Sequence, residues 1–181
     1  MTVNSEQWPE MILKPVGLVR NDIKEPMLKA GEQGLELKIR IEKIREYHQQ
    51  IKGMMSELVI NPEFTDLLKG IEEFSHIIVL YWPHLIDPAR RHNLKEVHPM
   101  GREDIPKQGI FATRSPARPN PVLVSIVPLI ERRNNILLVK GLEALNNSPI
   151  IDIKPHSLSY YGSETPSVPS WMEQIHRELG N

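Results

Sequence analysis

The sequence predicts a mainly β fold: a small antiparallel β-barrel with added helices, unlike a doubly wound nucleotide-binding fold. Two observations lead there. Short apolar segments recur along the chain, among them KPVGLVR, SELVI, SHIIVLYW, PVLVSIVPLIER and PIIDIKP, and polar, proline-marked loops separate them. Helical periodicity is confined to a few stretches, whereas a doubly wound sheet needs a helix between most of its strands. Many short strands with few helices suit a small closed or nearly closed barrel. The 181 residues suffice for one well-buried domain, or one domain with a small appendage.

The elements follow in order. KPVGLVR at 14–20 reads as a first short strand, and the charged stretch 21–34, with two glycines and a proline, as a loop. From Leu37 the period changes. Leu37, Ile41, Ile44, His48 and Ile51 recur three or four apart among charged and amide side chains, which predicts an amphipathic helix over about 37–52. Its apolar stripe has two outlets: packing on its own barrel, or forming the interface of a two-fold dimer. SELVI at 56–60 is the next strand. NPEFTDLLKG then fits a short helix with Pro62 in its first turn and Gly70 as its stop. SHIIVLYW at 75–82 is the most hydrophobic strand and the expected centre of the sheet. Residues 83–108 form a long polar segment of the kind that is usually functional. Segments 121–132, 135–145 and 149–155 are strand-rich, and the doublet Asn134–Asn135 suits a hairpin turn. PSWMEQIHRELG predicts a short helix opened by Pro169 and Ser170. The expected division is a barrel domain over 12–160, including the helical segment, and a C-terminal extension over 161–181.

Charge is unevenly placed. The formal net charge is −1, but residues 90–118 hold seven cations (Arg90, Arg91, Lys95, Arg102, Lys107, Arg114, Arg118) against Glu96, Glu103 and Asp104. That window carries +4 and leaves −5 for the remainder. A basic lobe on an acidic body suits a polyanion, the plainer alternative being a solvated loop with its own ion pairs. The absence of cysteine excludes disulfides, thiolate metal ligands and a cysteine nucleophile. No signal peptide is visible in MTVNSEQWPEM, and runs such as IIVLYW are too short to span a bilayer, so a cytoplasmic location is expected. Neither a GxxxxGK phosphate loop, nor GxGxxG after a strand, nor a GxSxG elbow occurs. His84, His92 and His98 with Asp87 could hold zinc, but their irregular spacing argues against a metal site.

The stretch GIFATRSPARPN at 109–120 is the most distinctive. Prolines at 116, 119 and 121 stiffen the backbone, so Arg114, Arg118 and Asn120 are aimed with little ordering entropy left to lose on binding. Their expected targets are carboxylates or phosphates; the alternative is an arginine that staples the turn by bonding its carbonyls, and each arginine could do one of the two jobs. Asp152 and Lys154 share a strand face, can pair with each other, and are weak catalytic candidates; no other catalytic residue is named.

GIFATRSPARPNP resembles the GVFATRSPxRPNP signature of the TsaA-like (YaeB) proteins, and PVGLVR, GIEEFSHIIVLYWPH, VHPM and GLEALNNSPIIDIKP agree with the same family over roughly residues 14–156. The resemblance implies a dimeric antiparallel barrel that uses S-adenosyl-L-methionine to methylate N6 of threonylcarbamoyladenosine beside a tRNA anticodon. It implies cofactor contacts at His84, Leu85, Arg114, Val124 and the turn Asn146, Asn147, Ser148, Pro149. Arg118, Asn120, Arg90, Arg91 and Arg102 are the expected substrate contacts. Departures occur at Ala30–Gly34, where the family has PRQPG, at Leu123 in place of glycine, and at Asn146 in place of aspartate. They keep open a same-fold methyltransferase with a small-molecule or peptide substrate. A non-catalytic dimer that binds the cofactor or RNA is the third reading.

Overall fold

Strand β3, His76–Tyr81, shows how the barrel is built: Ile77, Val79 and Tyr81 are buried, and the residues between them are only partly so. Alternation of side chains with period two turns one such set inward. The computed structural model describes residues 9–25, 37–160 and 166–180, the side chains of Leu37, Lys38, Arg90, His92 and Tyr160 excepted. Besides β3, the strands of the barrel are β1 (Gly17–Arg20), β2 (Met55–Ile60), β6 (Leu123–Arg133), β7 (Ile136–Lys140) and β8 (Pro149–Pro155). They close in the order β1-β2-β7-β6-β3-β8, every pairing antiparallel. The barrel expected from the strand pattern is the fold observed.

Val19, Leu58, Ile77, Val79, Val127, Leu137, Val139 and Ile150 fill the interior, and Leu142 and Ala144 pack onto the same core from the segment after β7. That segment corrects the strand expected over 135–145. Gly141 takes φ 79, its N–H bonds the Met54 carbonyl, and the chain leaves the sheet there. The hairpin expected at Asn134–Asn135 is present: Arg133 pairs with Ile136, and Asn134 adopts φ 54. NPEFTDLLKG forms a 3-10 helix over Pro62–Leu68, and Gly70 takes φ 85 after it.

The seam between β1 and β8 has only two paired positions, Gly17↔Ile150 and Leu18↔Pro149, while β1 meets β2 along its whole length. Gly17 is pressed against β2: a Cβ there would overlap the Val59 carbonyl oxygen and lie 2.9 Å from Ile60 Cα. Backbone cannot yield as a flexible side chain can. Gly17→Ala is therefore expected to destabilise the fold by about 2 kcal/mol, seen as a lowered urea midpoint; an unchanged midpoint would show that the strands can separate freely.

Helix α1, Leu37–Gly53, matches the predicted segment. Ile44 and Ile51 of its stripe are covered within the same chain, at 2% and 6% exposed, while Ile41 and His48 are half-buried. Ile44 and Ile51 thus pack on their own fold, as the first of the two outlets has it. The long polar segment 83–108 is more ordered than its composition suggests. It contains a short helix α2 (Pro88–Asn93) and a two-stranded ribbon of β4 (Glu96–Val97) and β5 (Gln108–Gly109). Helix α3, Ser170–Leu179, packs against α1 and buries Ile175.

Candidate functional site

The turn 145–149 joins several of the expected residues to one end of the barrel. Asn147 takes φ 64 and donates its N–H to Val19 O at 2.7 Å; Ser148 receives Val19 N–H at 3.0 Å and is 1% exposed. The Ser148 hydroxyl lies 3.4 Å from His84 Nδ1, and Trp82 N–H bonds Pro149 O at 2.9 Å. The turn thereby fixes His84 just past the end of β3. Leu85 beside it is 58% exposed. Asn146 ties the turn to the chain after β1. Its side-chain oxygen accepts Asn21 N–H at 3.1 Å and its N–H bonds Ile23 O at 2.7 Å, so it anchors the exit from β1.

Arg114 is exposed, and one of its terminal nitrogens bonds the Val124 carbonyl. Val124 pairs with Leu80, an outward position, so its side chain stands on the outer face of the barrel. One step along each strand, Tyr81 points inward. Its hydroxyl lies 3.3 Å from Ser125 Oγ and donates to the Glu143 carbonyl at 3.1 Å. Glu143 itself is reachable from solvent, yet protein atoms crowd its carboxyl; burial pushes its pKa up and the Arg114 charge pulls it back. Burial, then Glu143 and Tyr81, push the Tyr47 phenol of α1 up to about 12. Burial also raises the Tyr81 hydroxyl, against the hydrogen bond from Ser125.

Five parts of the chain thus converge on a polar rim: Tyr47, Tyr81, Ser125, Arg114 and Glu143. Sequence reasoning named only Arg114 among them. Tyr81 ends an apolar strand and reads as core; Tyr47 falls beside the helical stripe; Glu143 looks like part of a strand. Each becomes visible only when the barrel closes.

The basic segment resolves into separate jobs. Arg118 bonds the carbonyls of Ser115 at 3.0 Å, Ile110 at 3.3 Å and Thr113, which is the staple weighed as an alternative for one arginine of the pair. Arg91 donates to Ile86 O at 2.8 Å and lies over the Trp82 ring at 5.2 Å, tying α2 to the end of β3. Arg102 is a correction. It is 2% exposed, with Nε and Nη2 on Asp104 at 3.1 and 2.6 Å and Nη1 on Glu178, so it has no reach toward a substrate. The cause is α3, whose carboxylate meets it from 76 residues away along the chain. Asn120 is exposed. Asp152 and Lys154 pair with each other at 2.6 Å on the outer face, opposite Leu80 and Ile78, which uses both as a surface ion pair. The Ala30–Gly34 loop and the side chains of Arg90 and His92 lie outside the described residues. Among the described residues, no three metal-ligating side chains converge and no helix is long and apolar enough to cross a membrane.

Residues 42–161 match the family model described as the tRNA-methyltransferase O N-terminal domain. The chain belongs to that family. It is 42% identical over 147 residues to a protein of Methanothermobacter thermautotrophicus named a probable S-adenosyl-L-methionine-binding protein, covering 81% of this chain and 90% of the relative. A mouse protein named tRNA (adenine(37)-N6)-methyltransferase is 33% identical over 109 residues, which are 60% of this chain and 24% of the mouse protein. The crystal structure of TrmO from Pseudomonas aeruginosa superposes with a TM-score of 0.60 at 22% identity, covering 90% of this chain. The chain spans 62% of that TrmO chain, and at this identity the likeness concerns the fold. The family resemblance drawn from GIFATRSPARPNP therefore holds.

Proposed function

We propose that the protein is an S-adenosyl-L-methionine-dependent methyltransferase acting on tRNA, with N6 of threonylcarbamoyladenosine beside the anticodon as the acceptor. Family membership over residues 42–161 is the observation that carries this reading. The names of relatives, a donor-binding protein and a tRNA adenine methyltransferase, support its two halves. The residues present suit the donor. An exposed guanidinium (Arg114), a crowded carboxylate (Glu143) and apolar surface at Leu85 and Val124 match a ligand that has a carboxylate, cationic centres and a purine.

When bound, the donor supplies an electrophilic methyl group, so the chain's own part is mainly positioning and electrostatics. Arg114 would take the methionine carboxylate. Tyr81, itself bonded to Ser125, holds the Glu143 carbonyl, and the Glu143 carboxylate, coupled to Arg114, would stabilise positive charge.

Incubation of the protein with labelled donor and tRNA carrying the hypermodified adenosine should place label on that nucleoside. Bound donor without label transfer would instead favour the non-catalytic reading, and transfer to a small molecule or peptide the same-fold alternative. A homodimer is part of the proposal. Its surface would include the outer face of β6, where Ile126 and Ile130 are 49 and 52% exposed. Sedimentation should give twice the monomer mass of 20.8 kDa; a monomer at all concentrations would remove the dimer.

A further inference from the structure

Phe111 is, among the described residues, the most exposed aromatic, and the functional reading leaves it without a task. Its ring is 82% exposed, in the middle of the most distinctive motif of the chain. Exposure of one apolar side chain is ordinary; exposure on a backbone locked from several sides is less so. Phe111 lies in a 3-10 turn, Ile110–Ala112, whose first residue is 5% exposed and acts as its plug. Ile110 N–H bonds Lys95 O at 3.0 Å. The Ile110 carbonyl accepts Thr113 N–H at 3.2 Å, Thr113 Oγ1 at 2.9 Å and Arg118 Nη2 at 3.3 Å. Arg118 reaches the Thr113 carbonyl as well. The arginine that the motif seemed to offer to a ligand is spent on holding this turn, and the turn presents a phenyl ring.

The surroundings of the ring decide what fits it. Lys95 and Lys107 are exposed on the same segment, with Glu96 and Glu103 as opposing charges and Asp104 taken up by Arg102. A second protein surface would want a dry apolar rim around the ring. An unpaired nucleotide wants a π-face for its base and cations for its phosphates, and the segment offers both. We propose that Phe111 is a stacking platform for an unpaired base of the RNA substrate, held in place by the Arg118 clamp. This rests on the tRNA reading above and adds to it the element that would distinguish a single-stranded loop from duplex RNA.

The test uses the full chain and two RNA probes, an anticodon stem-loop and a fully paired duplex of equal length, read by fluorescence anisotropy at fixed salt. Phe111→Ala should lose about ten- to a hundredfold in affinity for the stem-loop and change little on the duplex. Phe111→Trp should restore binding and Phe111→Leu should not, since only a π-face is at issue. Calorimetric titration of S-adenosyl-L-methionine should be the same for all four proteins, which also certifies their folds. Equal stem-loop affinity for wild type and Phe111→Ala overturns the proposal, as does full rescue by leucine. So does a shift of Phe111→Ala from dimer to monomer, which would place the ring against a second copy. If the wild type methylates tRNA and Phe111→Ala does so with unchanged KM, only the stacking role falls; if the wild type binds no RNA at all, the tRNA reading falls with it.

Discussion

Arg102→Ala should lower the unfolding free energy by about 3 kcal/mol. The guanidinium is 1% exposed at its side chain and holds Asp104 and Glu178, which are 28 and 29% exposed. Removing it leaves two carboxylates facing one buried space, and their partial solvation puts the loss at the lower end for a broken buried pair. It also unfastens α3, since Glu178 is the residue through which that helix reaches the 102–104 turn, with Gln174 steadying the carboxylate at 3.0 Å. For a chain of this size the melting temperature should fall by roughly 6–12 °C. The pH dependence has a definite sign. The hydrogen bond from Arg102 is the main cause that lowers both the Asp104 and the Glu178 pKa in the folded state. Their contribution is therefore complete above the ordinary carboxylate range, about pH 4, and is lost as pH falls through the depressed folded values. Wild type should lose stability across that acid window and the variant should lose less. A melting curve for Arg102→Ala that overlays wild type at neutral pH would contradict the clamp.

Arg114→Ala should weaken S-adenosyl-L-methionine binding about ten- to a hundredfold, the usual span for a hydrogen bond to a charged group, while the fold survives. Arg114 is exposed and its one hydrogen-bond partner among the described residues is the Val124 carbonyl, so other donors of the guanidinium fork can serve a ligand. Arg118→Ala should behave in the opposite way. It removes donors from the carbonyls of Ser115, Ile110 and Thr113 and loosens the turn, so stability and RNA contact should suffer more than donor affinity. Calorimetric titration beside thermal melting separates the two. Equal donor affinity for wild type and Arg114→Ala would reject the assignment of Arg114 to the donor.

The sequence by itself located the six strands of the barrel, though not where the fifth ends, and determined the barrel class, helix α1, the hairpin at Asn134–Asn135 and the family. These depend on periods of two and about 3.6, on proline and glycine at turns, and on a long motif, all of which are local properties of the chain. Only the tertiary structure decided what the polar side chains do. Arg102 read as one more cation of a basic loop until α3 brought Glu178 to it from the far end of the chain. Tyr81 and Ser125 read as strand residues until the β3–β6 pairing put their hydroxyls 3.3 Å apart beside Glu143. Asn146 looked like a weakened ligand position until its side chain was found anchoring Asn21. An arginine or a carboxylate looks the same in sequence whether it faces solvent, a carbonyl or an opposite charge. Its role is set by partners tens of residues away, and those exist only once the barrel has closed.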